Sequence, residues 1–167
     1  MKQEQKQFKV TNEMLANHQQ RFRNFLFDYA GQILLMFLIL FVVAVVSIIT
    51  ENKALLVYFE KMNEVAQYTF AMCISLVYYN VWEILVARTP GKYITGTMVV
   101  DENGEKPGYQ MIMMRSLCRL IPFEILSFFG NPCRGWHDSL SNTYVVDIKL
   151  MEEKKQLFYF FENSKSE

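Results

Sequence analysis

The sequence has few of the residues from which catalytic and redox sites are built. Its 167 residues include three cysteines and two histidines, and these show neither a C-x-x-C pair nor a Cys/His ligand spacing, so we expect no disulfide framework and no metal–thiolate site. The motifs of serine hydrolases (G-x-S-x-G), zinc proteases (H-E-x-x-H) and phosphate-binding loops (G-x-x-x-x-G-K-[ST]) are also missing. We therefore expect no enzymatic activity, no cofactor and no protein-bound metal.

The chain also has no excess of positive or negative charge. Its 17 basic residues balance its 17 acidic residues, so no overall field would attract nucleic acid, and we expect no nucleic-acid partner.

The apolar residues of the chain are grouped in blocks. The longest block, YAGQILLMFLILFVVAVVSIIT, carries no charge over about 22 residues, which is enough to cross a hydrocarbon core of about 30 Å. We predict an uncleaved membrane-spanning helix at about 28–50, because the block is too long for a signal peptide and no cleavage site follows it.

A second block, VAQYTFAMCISLVYYNVWEILVA, predicts a second span at about 65–87. Asn80 and Glu83 interrupt it. Because an acidic group is costly in lipid, Glu83 is expected to face protein or water. Tyr78, Tyr79 and Trp82 lie near the same end, as aromatic residues at a membrane interface often do.

A third helix is predicted at about 109–130, but its nature is left open. Arg115, Arg119, Pro122 and Glu124 interrupt its apolar sequence. The flanking segments 93–101 and 143–149 are rich in residues that favour strands, and we expect them to pair in the cytoplasm. If they pair, the third helix is re-entrant or interfacial; the alternative is a short third crossing.

The predicted fold class is therefore a membrane all-α protein with two transmembrane helices, this third helix and a small cytoplasmic β-pair. We expect a polar N-terminal tail at 1–16 that is loose over residues 1–12, a membrane domain at 17–150 and a C-terminal tail at 151–167, in which LFYFF suggests an amphipathic helix. Basic residues precede the first span and follow the second. Since basic residues collect on the cytoplasmic side, the N-terminus is expected to be cytoplasmic, in a multi-pass protein of the inner cell membrane.

The charged residues of the membrane domain are the candidate site. Arg115 and Arg119 lie four residues apart on one helix face, where their like charges repel each other unless nearby carboxylates neutralise them. One interpretation is a buried structural network joining the three helices; a second is a set of ion- or proton-binding groups; a third is arginines that hold lipid phosphates. The candidates for ion or proton binding, or for the polar network, are Asp28, Asn80, Glu83, Glu124, His137 and Asp138. The candidate charge partners or lipid-phosphate contacts are Arg21, Arg88, Lys92, Arg115 and Arg119.

Two short motifs adjoin these residues. In TPGK, Pro90 is expected to end the second span, Gly91 to permit a turn and Lys92 to reach the headgroup level. In WHD, we expect His137 to be able to sense pH and Asp138 either to cap a turn or to pair with an arginine.

Four segments in this order resemble the RDD family of small integral membrane proteins: RFRNFLFD, WEILVARTPGKYITGTMVVDENGEKPG, RSLCRLIPFE and WHDSLSNTYVV. The resemblance covers roughly residues 20–150 and matches the family's arginine and two aspartates to Arg21, Asp28 and Asp138. Asn24 stands where the family often has alanine, and Glu124 where an aspartate is common.

The resemblance implies a membrane ion transporter, with sodium/proton exchange as the expected activity. Its partners would be the lipid bilayer and sodium ions or protons, and two spans bury so little interior that a homo-oligomer is expected. A non-transporting scaffold or partner-binding subunit, or a binder of anionic lipid, are the alternative functions.

Overall fold

Two long apolar helices form the first half of the chain. The structure is a computed structural model, and it describes residues 7–121, 127, 130 and 133–164. Helix α1 (His18–Ile49) and helix α3 (Glu64–Val86) are long and apolar enough to cross a membrane, and the short helix α2 (Ala54–Glu60) lies between them. The two predicted spans thus correspond to the two long helices.

Helix α1 begins ten residues before the predicted span because its start is capped. The Asn17 side chain accepts a hydrogen bond from the backbone N–H of Gln20, and the Gln20 side chain accepts one from that of Asn17. This reciprocal capping satisfies two backbone donors. The added N-terminal turns carry Arg21, Asn24 and Asp28, all of which are buried.

The TPGK segment starts a helix, so the expected turn there is wrong. Helix α3 ends at Ala87, which has a left-handed backbone (φ 56°), and α4 (Pro90–Thr95) follows at once. Thr89 accepts a hydrogen bond from the Lys92 N–H, and Pro90 occupies the first turn. Threonine at the cap and proline in the first turn both favour a helix start. The strand predicted at 93–101 is therefore shorter, because its first residues belong to α4.

The predicted strand pairing is confirmed. Strand β1 (Thr97–Val100) pairs antiparallel with β2 (Tyr144–Asp147), with Thr97 opposite Asp147 and Val100 opposite Tyr144. The second strand ends earlier than the predicted 143–149, because the Asp147 side chain accepts hydrogen bonds from the first turn of helix α7 (Ile148–Asn163). The short helix α6 (Trp136–Leu140) precedes β2.

The third helix is short in its described part. Helix α5 (Tyr109–Cys118) starts where predicted but has 10 residues, or about 15 Å, roughly half of a hydrocarbon core. Residues 122–126, 128–129 and 131–132 lie outside the described part of the chain, so the rest of the predicted helix at 109–130 does too. The strand pairing meets the condition set above for a re-entrant or interfacial helix, and the course of this helix stays a prediction.

A small apolar core covers one side of the sheet and holds both terminal segments. Phe8, Met14 and Leu15 pack there with Val100, Val146 and Met151. The Phe8 ring meets Phe158 of α7 edge-on, with 5.7 Å between ring centroids. The expectation of a loose N-terminal tail is therefore wrong from Phe8 onward, because an apolar ring anchors it. Helix α7, the expected C-terminal helix, docks on the protein through Met151.

Replacing Phe8 by alanine should destabilise this core. The ring is 4% exposed, and truncating a buried phenylalanine costs about 3–5 kcal/mol. We expect Phe8→Ala to lower the midpoint of thermal unfolding in detergent, measured by circular dichroism. Phe160→Ala removes the same ring at a position that is 68% exposed and should leave the midpoint nearly unchanged. Equal effects of the two variants would contradict this packing.

Candidate functional site

One face of helix α1 carries the first three buried polar groups of the site. Arg21, Asn24 and Asp28 follow one another at spacings of three and four residues, which places them on the same helix face. Sequence reasoning used Arg21 and Asp28 but missed Asn24. The signal was present, because Asn24 is a polar residue at the helical position between the other two.

Asp28 binds the start of helix α4. Its carboxylate accepts hydrogen bonds from the Thr89 hydroxyl (2.6 Å), the Gly91 N–H (2.9 Å) and the Tyr78 hydroxyl (3.2 Å). All three donors are uncharged. The carboxylate therefore connects the TPGK segment and helix α3 to helix α1.

Gly91 is required by this close approach. A Cβ atom at Gly91 would lie 2.6 Å from the backbone oxygen of Asn24 and 2.8 Å from Oδ1 of Asp28. Both distances are shorter than van der Waals contact, so any other residue would push α4 away from α1. Gly91 thus allows helices α4 and α1 to pack closely, and it does not form the predicted turn.

Asn24 connects α1 to the end of α4 and the start of β1. Its Nδ2 donates to the Thr97 hydroxyl at 2.9 Å, and its Oδ1 accepts from the Thr95 hydroxyl. Both threonines lie at the turn between the helix and the strand. The sheet and helix α1 are therefore joined by side-chain hydrogen bonds.

Glu83 is surrounded by three cations. Lys92 Nζ and Arg119 Nη2 each lie 2.7 Å from Oε1, and Arg115 Nε lies 3.1 Å from Oε2. Glu83 is fully buried and Lys92 is 4% exposed. The expectation that Lys92 points to the headgroup level is therefore wrong: α4 turns its side chain inward to the carboxylate. Burial lowers the pKa of Lys92, and the charge of Glu83 opposes that shift.

Asp138 is the second buried carboxylate and also pairs with arginines. Arg21 Nη1 lies 2.5 Å from its Oδ2, Arg115 Nη1 contacts its Oδ1, and His137 Nε2 lies 3.3 Å from Oδ1. Its Oδ2 also accepts from the Gly135 N–H at the start of α6. The expected pairing with an arginine therefore agrees with the geometry, and the backbone N–H that Asp138 caps belongs to the start of α6. Burial alone would raise the pKa of Asp138, but Arg115 and Arg21 hold it well below its usual range.

Arg115 joins the two carboxylates. Its Nε faces Glu83, while its Nη1 contacts Asp138 and donates to the Thr143 hydroxyl at 2.8 Å. The side chain is fully buried. The interpretation of Arg115 and Arg119 as parts of a buried ionic network between helices therefore agrees with the geometry. Sequence reasoning missed Thr143, which follows α6 and precedes β2.

The remaining predicted residues lie apart from this network or outside the described residues. The Arg88 guanidinium lies 5.4 Å from the centre of the Tyr93 ring and its Nη2 is 3.7 Å from the Met98 sulfur, and the described residues show no ion pair between Arg88 and an acid. Asn80 accepts a hydrogen bond from the Ser116 hydroxyl at 3.1 Å and so links α3 to α5. Glu124 falls outside the described residues.

A cavity of about 390 Å³ adjoins the network between α1, α3 and α5. Within the described part of the chain, its wall includes four cationic side chains and one carboxylate, that of Asp28, whereas Glu83 and Asp138 do not line it. His137 also lines it. Among the described residues no group of three His, Cys, Asp or Glu side chains could hold a metal ion. The cationic lining residues are Arg21, Lys92, Arg115 and Arg119.

Comparison with known protein families agrees with this arrangement. A sequence model of the RDD family matches residues 15–148. The chain belongs to the RDD family. The match begins just before α1 and ends where β2 meets α7, so it contains both long helices, the sheet and the charge network. Comparisons with curated proteins and with solved structures gave no significant match.

Two different sets of contacts are made by the residues matched to the arginine and the two aspartates of the RDD family, Arg21, Asp28 and Asp138. Arg21 and Asp138 form an ion pair with each other. Asp28 instead binds the TPGK segment. The three residues therefore connect α1 to two different parts of the fold, α6 and α4.

We expect Gly91→Ala to destabilise the protein, although alanine is normally favoured over glycine within a helix by about 1 kcal/mol. The added methyl group would meet Asn24 and Asp28 at the distances given above. Gly108→Ala is the matched control, since a Cβ there meets no atom within 4 Å. Thermal unfolding in detergent measures both variants. A Gly91→Ala protein as stable as Gly108→Ala would contradict the close approach of α4 and α1.

Asp138→Asn should destabilise the protein in a pH-dependent way. At neutral pH the substitution removes the negative charge that pairs with Arg21 and Arg115. Breaking such a buried ion pair lowers the free energy of unfolding by about 3–5 kcal/mol. Because the folded-state pKa of Asp138 is depressed, its stabilisation is complete above the unfolded pKa of about 3.9 and is lost as pH falls toward the folded pKa.

The free energy of unfolding of wild type and variant should therefore converge below about pH 4. Denaturant titrations at several pH values measure this difference. Glu152→Gln, at an exposed position of α7, is the control and should show no such gap. A constant gap between wild type and Asp138→Asn down to strongly acidic pH would count against the ion pairs of Asp138.

Proposed function

We propose that this RDD protein is a membrane protein that binds an anionic group in the cavity between α1, α3 and α5. The observation that carries the proposal is the composition of the cavity wall. Arg21, Lys92, Arg115 and Arg119 face the cavity, while Glu83 and Asp138 stand behind them. A ligand entering the cavity thus meets positive charge first, and charge of opposite sign is attracted.

The net charge of the network, counted over the described residues, also favours an anionic ligand. The network contains four cations and three carboxylates, which leaves one positive charge in excess. The cations are Arg21, Lys92, Arg115 and Arg119, and the carboxylates are Asp28, Glu83 and Asp138. Buried charge is costly unless it is paired. A bound anion would offset that cost and complete the network.

Two arginine donors would reach such a ligand if their guanidinium groups turned toward the cavity. Arg115 Nη2 and Arg119 Nη1 are buried and have no hydrogen-bond partner among the described residues. Buried donors normally find a partner. A guanidinium presents its N–H groups in a planar fork that matches phosphate and carboxylate oxygens, so these donors support an oxyanion as the ligand.

Sodium/proton exchange, which the family resemblance implies, has less support from the geometry. Among the described residues, Asp28 is the one carboxylate that lines the cavity, and three donors already occupy its oxygens. A sodium ion would need those lone pairs and would sit among four cations. An anion therefore ranks before sodium as the ligand, and exchange is an outcome of the test below.

The position of the protein in the cell is part of the same proposal. Two long apolar helices support insertion in the membrane. The basic residues before α1 and after α3 support a multi-pass protein of the inner cell membrane with the N-terminus, the sheet and the cavity on the cytoplasmic side. A homo-oligomer stays a prediction from the small interior of two spans.

Inorganic phosphate is the simplest probe of anion binding. We expect it to raise the midpoint of thermal unfolding of the detergent-solubilised protein in a saturable way, since a ligand of the folded state stabilises it. Arg119→Gln should weaken phosphate binding about tenfold, as expected for one charge-assisted hydrogen bond. Arg88→Gln removes the same charge from a residue that does not line the cavity and should bind phosphate as wild type does.

The opposite result is equally measurable. Protein reconstituted in vesicles can be assayed for proton movement driven by a sodium gradient. Sodium-dependent proton movement that is lost in Asp28→Asn, together with no response to phosphate, would replace anion binding by cation exchange. Equal phosphate binding by Arg119→Gln and Arg88→Gln would exclude the cavity as the phosphate site.

A further inference from the structure

We infer that the anionic ligand of this cavity is the headgroup of an anionic phospholipid, which enters from the bilayer alongside helix α1. The inference rests on the proposed anion-binding function and names the class of molecule that carries the anion. The shared chemistry is a phosphate group. The structural question is whether the cavity favours a phosphate attached to acyl chains over a free one.

The cavity wall is partly built from the membrane-spanning helices themselves. Phe25, Tyr29 and Gln32 of α1 and Ser75 and Tyr79 of α3 line it along with the cations. These residues belong to the two helices that are apolar enough to cross a membrane. A ligand in the cavity therefore lies against surfaces that the proposed topology exposes to lipid.

The aromatic part of the wall is accessible from outside. Tyr29 is 54% exposed, and its ring stacks on that of Phe25 with 6.0 Å between centroids. One turn further along α1, Ile33 and Leu34 are 42% and 71% exposed. An apolar strip thus continues from the cavity along the outside of the first span, where an acyl chain would lie.

The order of polarity along α1 matches that of a phospholipid. Arg21 lies at the start of the helix and Tyr29 eight residues later, which is about 12 Å along the helix axis. Charge comes first, aromatic rings follow and purely apolar side chains come last. A phosphate at the arginines would place the glycerol beside Phe25 and Tyr29 and the acyl chains beside the apolar strip. A free phosphate would use only the first of these three surfaces.

Arg119 is the residue best placed to hold the phosphate. It is 13% exposed, unlike the fully buried Arg115, and its guanidinium lies 3.8 Å from the centre of the Tyr79 ring. It shares Oε1 of Glu83 with Lys92. Glu83 therefore keeps Lys92 and Arg115 as partners if Arg119 turns its free Nη1 toward a ligand.

Native mass spectrometry of the detergent-solubilised protein tests this inference. The probes are phosphatidylglycerol, phosphatidylcholine and glycerol phosphate, which has the phosphate but no acyl chains. We expect one phosphatidylglycerol to bind about tenfold or more tightly than either of the others, because only it combines a net negative head with apolar tails. Arg119→Gln should lose about tenfold in phosphatidylglycerol affinity, and Arg88→Gln should lose nothing.

Tyr29→Ala separates the lipid from the free phosphate. The residue is exposed, so the variant should fold, and it should weaken phosphatidylglycerol binding several-fold while leaving inorganic phosphate binding unchanged. If glycerol phosphate binds as tightly as phosphatidylglycerol, the lipid inference is overturned and anion binding stands. Equal binding of phosphatidylglycerol and phosphatidylcholine, or equal losses in Arg119→Gln and Arg88→Gln, also overturns it. If no phosphate-bearing probe binds, the proposed function fails with it.

Discussion

The ion pairs of Arg115 with Glu83 and Asp138 are the interaction on which the other contacts depend. Arg115 lies on α5, Glu83 near the end of α3, and Asp138 on α6. Through Lys92 and Arg21 the same two carboxylates reach α4 and α1. Removing charges from water is costly unless partners are precisely placed. Five helices are thereby held in one arrangement around a single buried guanidinium.

Asp28 fixes the geometry that lets this network form. By accepting hydrogen bonds from Thr89 and Gly91, it sets α4 against α1, and α4 then delivers Lys92 to Glu83. The short TPGK motif is thus a docking element whose glycine allows contact and whose lysine completes the charge cluster. What remains on the cavity side is an excess of cationic groups, which underlies the proposed binding of an anionic headgroup.

The features that depend on local composition could be predicted from the sequence. Both spans follow from uncharged length, the strand pair from β-branched residues, and the network from charges placed in apolar segments. The start of α4 was missed because Pro90 was read as a helix terminator, although a preceding threonine makes it a helix initiator. The burial of Lys92 and the separation of Arg88 could not be predicted, because they depend on the direction in which α4 leaves α3. Phe8 was missed because one ring in a polar segment carries no periodic signal.

The cavity beside Arg115 and Arg119 is proposed to hold an anionic phospholipid headgroup. The most direct measurement is an experimental structure of the protein in a bilayer disc that contains phosphatidylglycerol. We expect density for a phosphate within hydrogen-bond distance of Arg115 Nη2 and Arg119 Nη1, with acyl chains running past Tyr29. A cation bound to Asp28, or an acidic side chain of this same chain in the phosphate position, would contradict it.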